Sequence, residues 1–135
     1  MLTYLIVGIA GGIIFVILDF VFNVNPLAQH LSEPYRPLAR KAMPMAAAVV
    51  IDILSSLAMA GIFLLLRPSF PGGPLFGAGI SFGIIAWFFR VLMSALSQWV
   101  MFQIPAKTHL YNIAAGLLEM VALGLFYAIA FSSFP

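Results

Sequence analysis

Four ionisable side chains lie inside long apolar stretches of a chain that has few others. The protein contains 135 residues, of which 7% are charged, and only four are carboxylates. Three of those carboxylates and one arginine fall within apolar stretches: Asp19, Asp52, Glu119 and Arg90. An ionised group near the centre of a bilayer costs at least ~2.5–3.5 kcal/mol, so such groups normally face the interior of a bundle and pair. The four residues are therefore predicted to form a buried polar network.

Three acids facing one arginine suggest proton chemistry. Arginine is always protonated, so three ionised acids would leave two uncompensated negative charges. We therefore expect Asp52 or Glu119 to hold a proton. Counted at about 1.5 Å per residue from the inner ends of their helices, these two residues and Arg90 lie roughly 14–17 Å deep. Such a carboxyl suits a proton-coupled carrier, but it also suits a purely structural network or a ligand-binding or catalytic site.

Further polar residues follow the ionisable ones at helical spacing. Steps of three, four or seven residues place side chains on one stripe of a helix. The members predicted to extend the network are Asn23, Ser94, Gln98 and Asn112, with Ser55, Ser56, Trp87 and Ser97 on the same stripes. The sequence thus predicts a polar core in the inner half of a bundle and a drier outer half, where Tyr4 and Tyr127 would join an aromatic belt.

The elements that must position these residues are membrane-spanning helices. The chain is 64% hydrophobic, with a mean hydropathy of +1.14, whereas soluble domains are about 45–50% apolar and about 25% charged. A span needs about 20 mostly apolar residues, and four segments qualify: 2–22, 43–66, 75–101 and 108–131. The predicted fold is an all-α integral membrane protein, a four-transmembrane-helix bundle forming a single membrane domain.

The first and third loops carry most of the basic residues, and the second loop carries one. They are Arg36, Arg40, Lys41 and Lys107, against Arg67 alone. Because Lys and Arg concentrate on the cytoplasmic side, loops 1–2 and 3–4 are predicted to be cytoplasmic and both termini outside, in a bacterial cytoplasmic membrane. The inner loop, residues 23–42, is either a short amphipathic helix in the membrane interface or an ordered basic loop.

The two halves of the chain resemble each other, which indicates a tandem duplication of a two-helix hairpin. Gly8 and Gly12 match Gly79 and Gly83 at an offset of 71, and this offset also places Asp19 on Arg90. An offset of 67 aligns the second and fourth spans and places Asp52 on Glu119. Glycines four residues apart allow close helix approach, so the first and third spans are expected to form the central pair.

Metal and cofactor chemistry finds little support in the sequence. There is no cysteine for a zinc–thiolate site. His30 lies in the inner loop and His109 at the start of the fourth span, whereas a haem would need histidines that face each other within the helices, so both remain weak candidates for metal ligation. No catalytic residue and no cofactor is predicted. No basic patch could follow a nucleic acid. The expected partners are the lipid bilayer and either copies of this chain or other membrane-protein subunits.

Three functions remain open, and an enzyme is not favoured. The first is a structural or accessory subunit, or a homo-oligomeric bundle, built around the Asp/Glu/Arg network. The second is a small proton-coupled transporter or channel that uses Asp52, Glu119 and Arg90. The third is a membrane enzyme or a lipid- or quinone-binding protein at the inner interface, using the residues Asp19, Asn23, His109 and Asn112.

Overall fold

Helices account for nearly all of the ordered backbone. A computed structural model describes residues 1–38, 44–71 and 76–133, and no strand occurs within them. Four helical segments are long and apolar enough to cross a membrane: span 1 (Leu2–Val24), span 2 (Met45–Ser69), span 3 (Ala78–Met101) and span 4 (Ala106–Ser133). The predicted all-α four-helix membrane bundle is confirmed. The predicted span boundaries at 43 and 75 lie outside the described residues.

Two of the spans are continuous α-helices and two are composite. Span 1 is helix α1 and span 4 is helix α6. Span 2 is helix α3 (Met45–Leu66) extended by a 3-10 turn, Arg67–Ser69. Span 3 consists of helix α4 (Ala78–Trp87), a π-helical segment (Phe88–Leu92) and helix α5 (Met93–Met101). The interruption of span 3 falls at the depth of the predicted polar network.

A short helix follows span 1 where an interfacial helix or a loop was expected. Asn25 ends span 1 with an extended backbone, and its side chain accepts a hydrogen bond from the Ala28 N–H. This cap and the proline that follows it begin helix α2 (Pro26–Leu31), because proline suits the first turn of a helix. A 3-10 segment, Glu33–Leu38, continues the chain. Arg40 and Lys41 lie outside the described residues.

The packing order of the spans differs from the expected one. Span 1 packs against spans 2 and 4, and span 4 packs against span 3. Spans 1 and 3 are not the central pair; spans 1 and 4 are. The reason is that the repeated glycines are used inside each hairpin. A Cβ at Gly12 would lie 2.7 Å from the Ile53 Cα of span 2, and one at Gly83 would lie 2.6 Å from the Val121 Cα of span 4.

The two hairpins pack in the same way. Gly8 faces Leu57, and Gly79 faces Gly124. The two glycines are 71 positions apart and their partners are 67 apart, which are the offsets that relate Asp19 to Arg90 and Asp52 to Glu119. Equivalent contacts at equivalent positions are what a duplicated hairpin predicts.

An aromatic core closes one end of the bundle. We call the end that holds residues 25–38 and 102–105 the loop end, and the opposite end, where span 1 begins and span 4 ends, the terminal end. Near the terminal end, Phe63 packs edge-on against Phe82 with 5.4 Å between ring centroids and stacks on Phe131 at 6.1 Å. Spans 2 and 3 meet through α4 in this half, whereas α5 packs against α6. The seam between spans 2 and 3 is therefore closed at the terminal end and open toward the loop end.

Candidate functional site

The four ionisable residues of the spans come together, one from each span. The carboxyl groups of Asp19 and Glu119 lie within hydrogen-bonding reach of each other. Asp52 is an electrostatic neighbour of Asp19 and of Arg90. We call these four residues the ionisable cluster. Asp52 and Glu119 retain 9% and 7% of their exposure, and Asp19 is half-buried. A bond between two carboxyl groups needs a proton, because an ionised carboxylate only accepts.

Arg90 lies beside the acids without pairing with any of them. Its guanidinium carbon is 4.4 Å from the centroid of the Phe15 ring, a cation–π contact. All four carboxylates of the protein are in described residues, and the one ion pair found there is Arg36–Glu33 at 3.8 Å, outside the spans. Arg90 therefore acts on the acids as a nearby charge and not as a direct ion-pair partner. Arg90 keeps an exposed side chain, because it lies on the open part of the seam.

A π-helical turn sets the direction of Arg90. The Met93 N–H donates to the carbonyl of Phe88, five residues earlier. One extra residue in a turn shifts the following side chains by about 100° around the helix axis. Trp87, just before the turn, no longer shares a stripe with the residues after it, and its Nε1 donates to the Ile113 carbonyl of span 4 at 2.9 Å. Single π turns within helices are frequent at functional sites.

Asn23 connects the ionisable cluster to the loop end. Its amide donates to the Asp19 carbonyl at 2.8 Å and reaches the Asp19 carboxylate at 3.4 Å. Asn23 also lines a polar cavity of about 480 Å³. The remaining lining residues come from α2 and the segment after it: Gln29, Ser32, Glu33, Tyr35 and Arg36. Polar groups thus lead from this cavity through Asn23 to Asp19.

The other predicted network residues stay apart from the ionisable cluster. Gln98 accepts a hydrogen bond from the Tyr35 hydroxyl at 2.7 Å, so it holds the 3-10 segment to span 3. Ser94 is exposed and Asn112 half-buried. Among the described residues, neither hydrogen-bonds to a member of the cluster. The prediction from helical spacing failed for Ser94 and Gln98 because it assumed an unbroken α-helix through Arg90.

Two hydroxyl groups are buried together, and the sequence placed only one of them, Ser56, on a predicted polar stripe. Tyr127, predicted in an outer aromatic belt, is 0% exposed, so that prediction is wrong. Its hydroxyl is 2.6 Å from the Ser56 Oγ and also donates to the Ser56 carbonyl at 3.1 Å. The available signals were the one-turn spacing of Ser56 from Asp52 and the two-turn spacing of Tyr127 from Glu119.

The two histidines do not form a metal centre within the described chain. His30 is exposed. His109 is 5% exposed, and neither ring nitrogen has a hydrogen-bond partner among the described residues. No group of three or more His, Cys, Asp or Glu side chains in the ranges that the structure covers is placed so that it could hold a metal ion.

Comparison with known proteins does not assign the chain to a family. No family model matches it, and no curated protein or solved structure matches it either. Since a fold alone does not determine a function, the function has to be argued from the ionisable cluster itself.

Proposed function

We propose that this chain is a small proton-conducting membrane protein, a proton-coupled transporter or channel, in which the ionisable cluster takes up and releases the proton. The observation that carries the proposal is the contact between the Asp19 and Glu119 carboxyl groups. These groups come from different spans and can hold one proton between them. Removing that proton would place two negative charges side by side in an apolar bundle, so proton binding and helix packing are coupled.

The position of Arg90 favours this function over a purely structural network. Structural charges inside a membrane are stable when they are directly paired, since each unpaired ion keeps its desolvation cost. Arg90 makes no ion pair with the three acids that surround it. Its charge offsets part of their negative charge from a distance, and this arrangement leaves the carboxyl groups free to exchange protons.

Access to the ionisable cluster supports the same proposal. The polar cavity at the loop end reaches Asn23, whose amide contacts Asp19. The excess of Lys and Arg in the loops at this end favours a cytoplasmic location. We therefore assign the cavity as the cytoplasmic entrance, in a bacterial cytoplasmic membrane. The aromatic core around Phe63 seals the opposite end, as expected for a carrier that faces one side at a time.

Proton flux in proteoliposomes tests the proposal. The purified chain is reconstituted with a trapped pH-sensitive dye, and a potassium gradient with valinomycin drives protons inward. We expect flux above that of protein-free vesicles, and we expect Asp52→Asn and Glu119→Gln to reduce it to the protein-free rate. Arg67→Gln is the matched control, because Arg67 bonds to Ser132 at the terminal end.

The variants are compared only when they keep the elution volume and melting temperature of the unmodified chain. Glu119→Gln keeps the size of the side chain and the ability to hydrogen-bond, so a folding defect is not expected. A wild-type flux equal to that of protein-free vesicles would contradict the proposal. Undiminished flux in Glu119→Gln would contradict the role of the ionisable cluster.

A second candidate, a subunit of a homo-oligomer or of a larger membrane complex, rests on the exposed side of span 3. Arg90, Ser94 and Ser97 are all exposed there. Polar groups that face lipid are costly, and polar groups of a neighbouring chain would satisfy them. Native mass spectrometry from mild detergent tests this function. A fixed stoichiometry that Arg90→Leu abolishes would support it, and a monomer would count against it.

A further inference from the structure

A line of hydroxyl groups enters the otherwise apolar terminal half of the bundle. Ser56 and Tyr127 are both 0% exposed, and their oxygens are 2.6 Å apart. Tyr4, in the first turn of span 1, donates its hydroxyl hydrogen to the Leu57 carbonyl at 2.7 Å. We call Ser56, Tyr127 and Tyr4 the hydroxyl path. Buried polar groups in this half need a reason, because the surrounding core consists of aromatic rings and small apolar residues.

The hydroxyl path begins where the ionisable cluster ends. Ser56 follows Asp52 by four residues on span 2, and Tyr127 follows Glu119 by eight on span 4. Side chains four residues apart share one face of a helix, with about 5–6 Å between their Cβ atoms. One bridging water spans such a gap. Asp52 and Glu119 are thus each followed, toward the terminal end of the same helix, by a hydroxyl group, that of Ser56 and that of Tyr127.

Tyr127 and Tyr4 bind to neighbouring points on span 2. The Tyr127 hydroxyl donates to the carbonyl of Ser56, and the Tyr4 hydroxyl donates to the carbonyl of Leu57. These are consecutive peptide groups of one helix, and the two tyrosines are electrostatic neighbours. Tyr4 is half-buried and lies within one turn of the terminal end. The hydroxyl path therefore crosses the part of the bundle that the aromatic core closes.

Span 1 leaves space for the hydroxyl pair. A Cβ at Gly11 would lie 2.5 Å from the Ser56 Oγ and 2.8 Å from the Tyr127 ring. Any side chain at Gly11 would therefore displace the two hydroxyl groups. Gly11 lies outside the glycine pairs that the two hairpins repeat, so helix packing common to both halves does not account for it.

Each position that forms this hydroxyl site has an apolar equivalent in the opposite hairpin. At the offsets of the repeat, Gly11, Ser56 and Tyr127 correspond to Phe82, Leu123 and Ala60. All three of these counterparts are buried, at 3% exposure or less. The fold therefore packs well at these positions without hydroxyl groups. The repeat therefore does not account for these two hydroxyl groups, of which Ser56 belongs to the first hairpin and Tyr127 to the second, and this favours a role in function over a role in packing.

We propose that the hydroxyl path is the terminal-half segment of the proton route, an inference that rests on the proposed function. A proton that leaves Asp52 binds the Ser56 oxygen while the Ser56 hydroxyl hydrogen passes to the Tyr127 oxygen. Tyr127 in turn gives up its own hydrogen to the Tyr4 oxygen, and Tyr4 releases its hydroxyl hydrogen to water at the terminal end. Each oxygen gains one O–H bond and loses another, so one proton moves and nothing is oxidised or reduced.

Single-oxygen deletions test the hydroxyl path in the same proteoliposome assay. Tyr127→Phe and Ser56→Ala each remove one hydroxyl group and leave the rest of the side chain unchanged. We expect each to lower proton flux by at least about tenfold, as for loss of a proton-transfer group, and the double variant to lower it no further, because the two groups act in series. Tyr111→Phe is the matched control, since Tyr111 donates to the Phe22 carbonyl near the loop end.

The outcomes separate the two proposals. Flux that Glu119→Gln abolishes but that Tyr127→Phe and Ser56→Ala leave intact would overturn the hydroxyl path and retain the transporter. Absence of flux in the unmodified chain would overturn both. If Tyr127→Phe lowers the melting temperature, the hydroxyl path is judged from Ser56→Ala and Tyr4→Phe instead. Ser56→Ala is the smaller change, and Tyr4→Phe lies nearer the surface. Undiminished flux in both of these variants would also overturn the hydroxyl path.

Discussion

Gly83→Ala should separate spans 3 and 4, and its cost can be worked out from the geometry. The added Cβ would lie 2.6 Å from the Val121 Cα and 2.8 Å from the Met120 carbonyl oxygen. Both obstacles are backbone atoms, so no side chain can rotate away. Ordinary contact begins near 3.4 Å, and the helices must therefore move apart by about 1 Å. A gap of that size forfeits roughly a quarter to a half of the dispersion energy of each contact it opens.

The expected net destabilisation is about 2 kcal/mol. Overpacking costs typically ~1–3 kcal/mol, and rigid obstacles place this site near the upper end. Replacing glycine by alanine inside a helix returns up to about 1 kcal/mol. Gly61→Ala is the matched control, because its Cβ would lie 3.4 Å from the Tyr4 hydroxyl oxygen, an acceptable contact. That variant should be as stable as the unmodified chain or more stable by up to about 1 kcal/mol.

Unfolding in mixed micelles with increasing SDS, followed by tryptophan fluorescence, measures this difference. Trp87 is a suitable reporter because its indole nitrogen bonds to the Ile113 carbonyl across the same interface. Gly83→Ala should unfold at a lower SDS fraction than Gly61→Ala. Equal midpoints for the two variants would refute the assignment of Gly83 to a backbone-to-backbone contact.

Two further predictions concern the loop end. Burial raises the pKa of Tyr35 above its ordinary value of 10.0. The contact with Gln98 is therefore fully present below pH 10 and is lost as the pH rises through the raised pKa. An absorbance titration of Tyr35→Phe should lack one phenolate component that the unmodified chain shows above pH 10, and identical titration curves would contradict the prediction. His109→Leu should keep or raise the melting temperature, because it replaces buried ring nitrogens that have no hydrogen-bond partner among the described residues. A clear drop in the melting temperature would contradict this prediction and show that the imidazole has an essential hydrogen-bond partner.

The sequence was sufficient for the spans and for the identity of the ionisable cluster. Long apolar runs can only be satisfied as helices in a bilayer, and Asp19, Asp52 and Glu119 stand out because so few charges accompany them. The offsets of 71 and 67 likewise appear again in the contacts of Gly8 and Gly79. These features depend on local composition and spacing, which a single sequence displays directly.

The geometry within the bundle could not be obtained in this way. Helical spacing assumes a constant 3.6 residues per turn, and the π turn at Arg90 breaks that assumption without any proline or glycine to announce it. Partner choice is a second difficulty. The spacing of Gly8 and Gly12 reveals a groove on span 1 but not which helix fills it. For the same reason Tyr127 looked like a residue of a membrane boundary until its bond to Ser56 was known.

The use of the glycine grooves inside each hairpin has a consequence for biogenesis. The closest helix contacts join consecutive spans, so each hairpin can form as soon as its second span is synthesised. The contact between spans 1 and 4 must wait for the end of the chain. Asp19 and Glu119 therefore meet last, and Asp52 and Arg90 enter the bilayer before their electrostatic surroundings are complete. A chain whose synthesis stops after span 3 would leave Asp19 within the membrane without its carboxyl partner, Glu119.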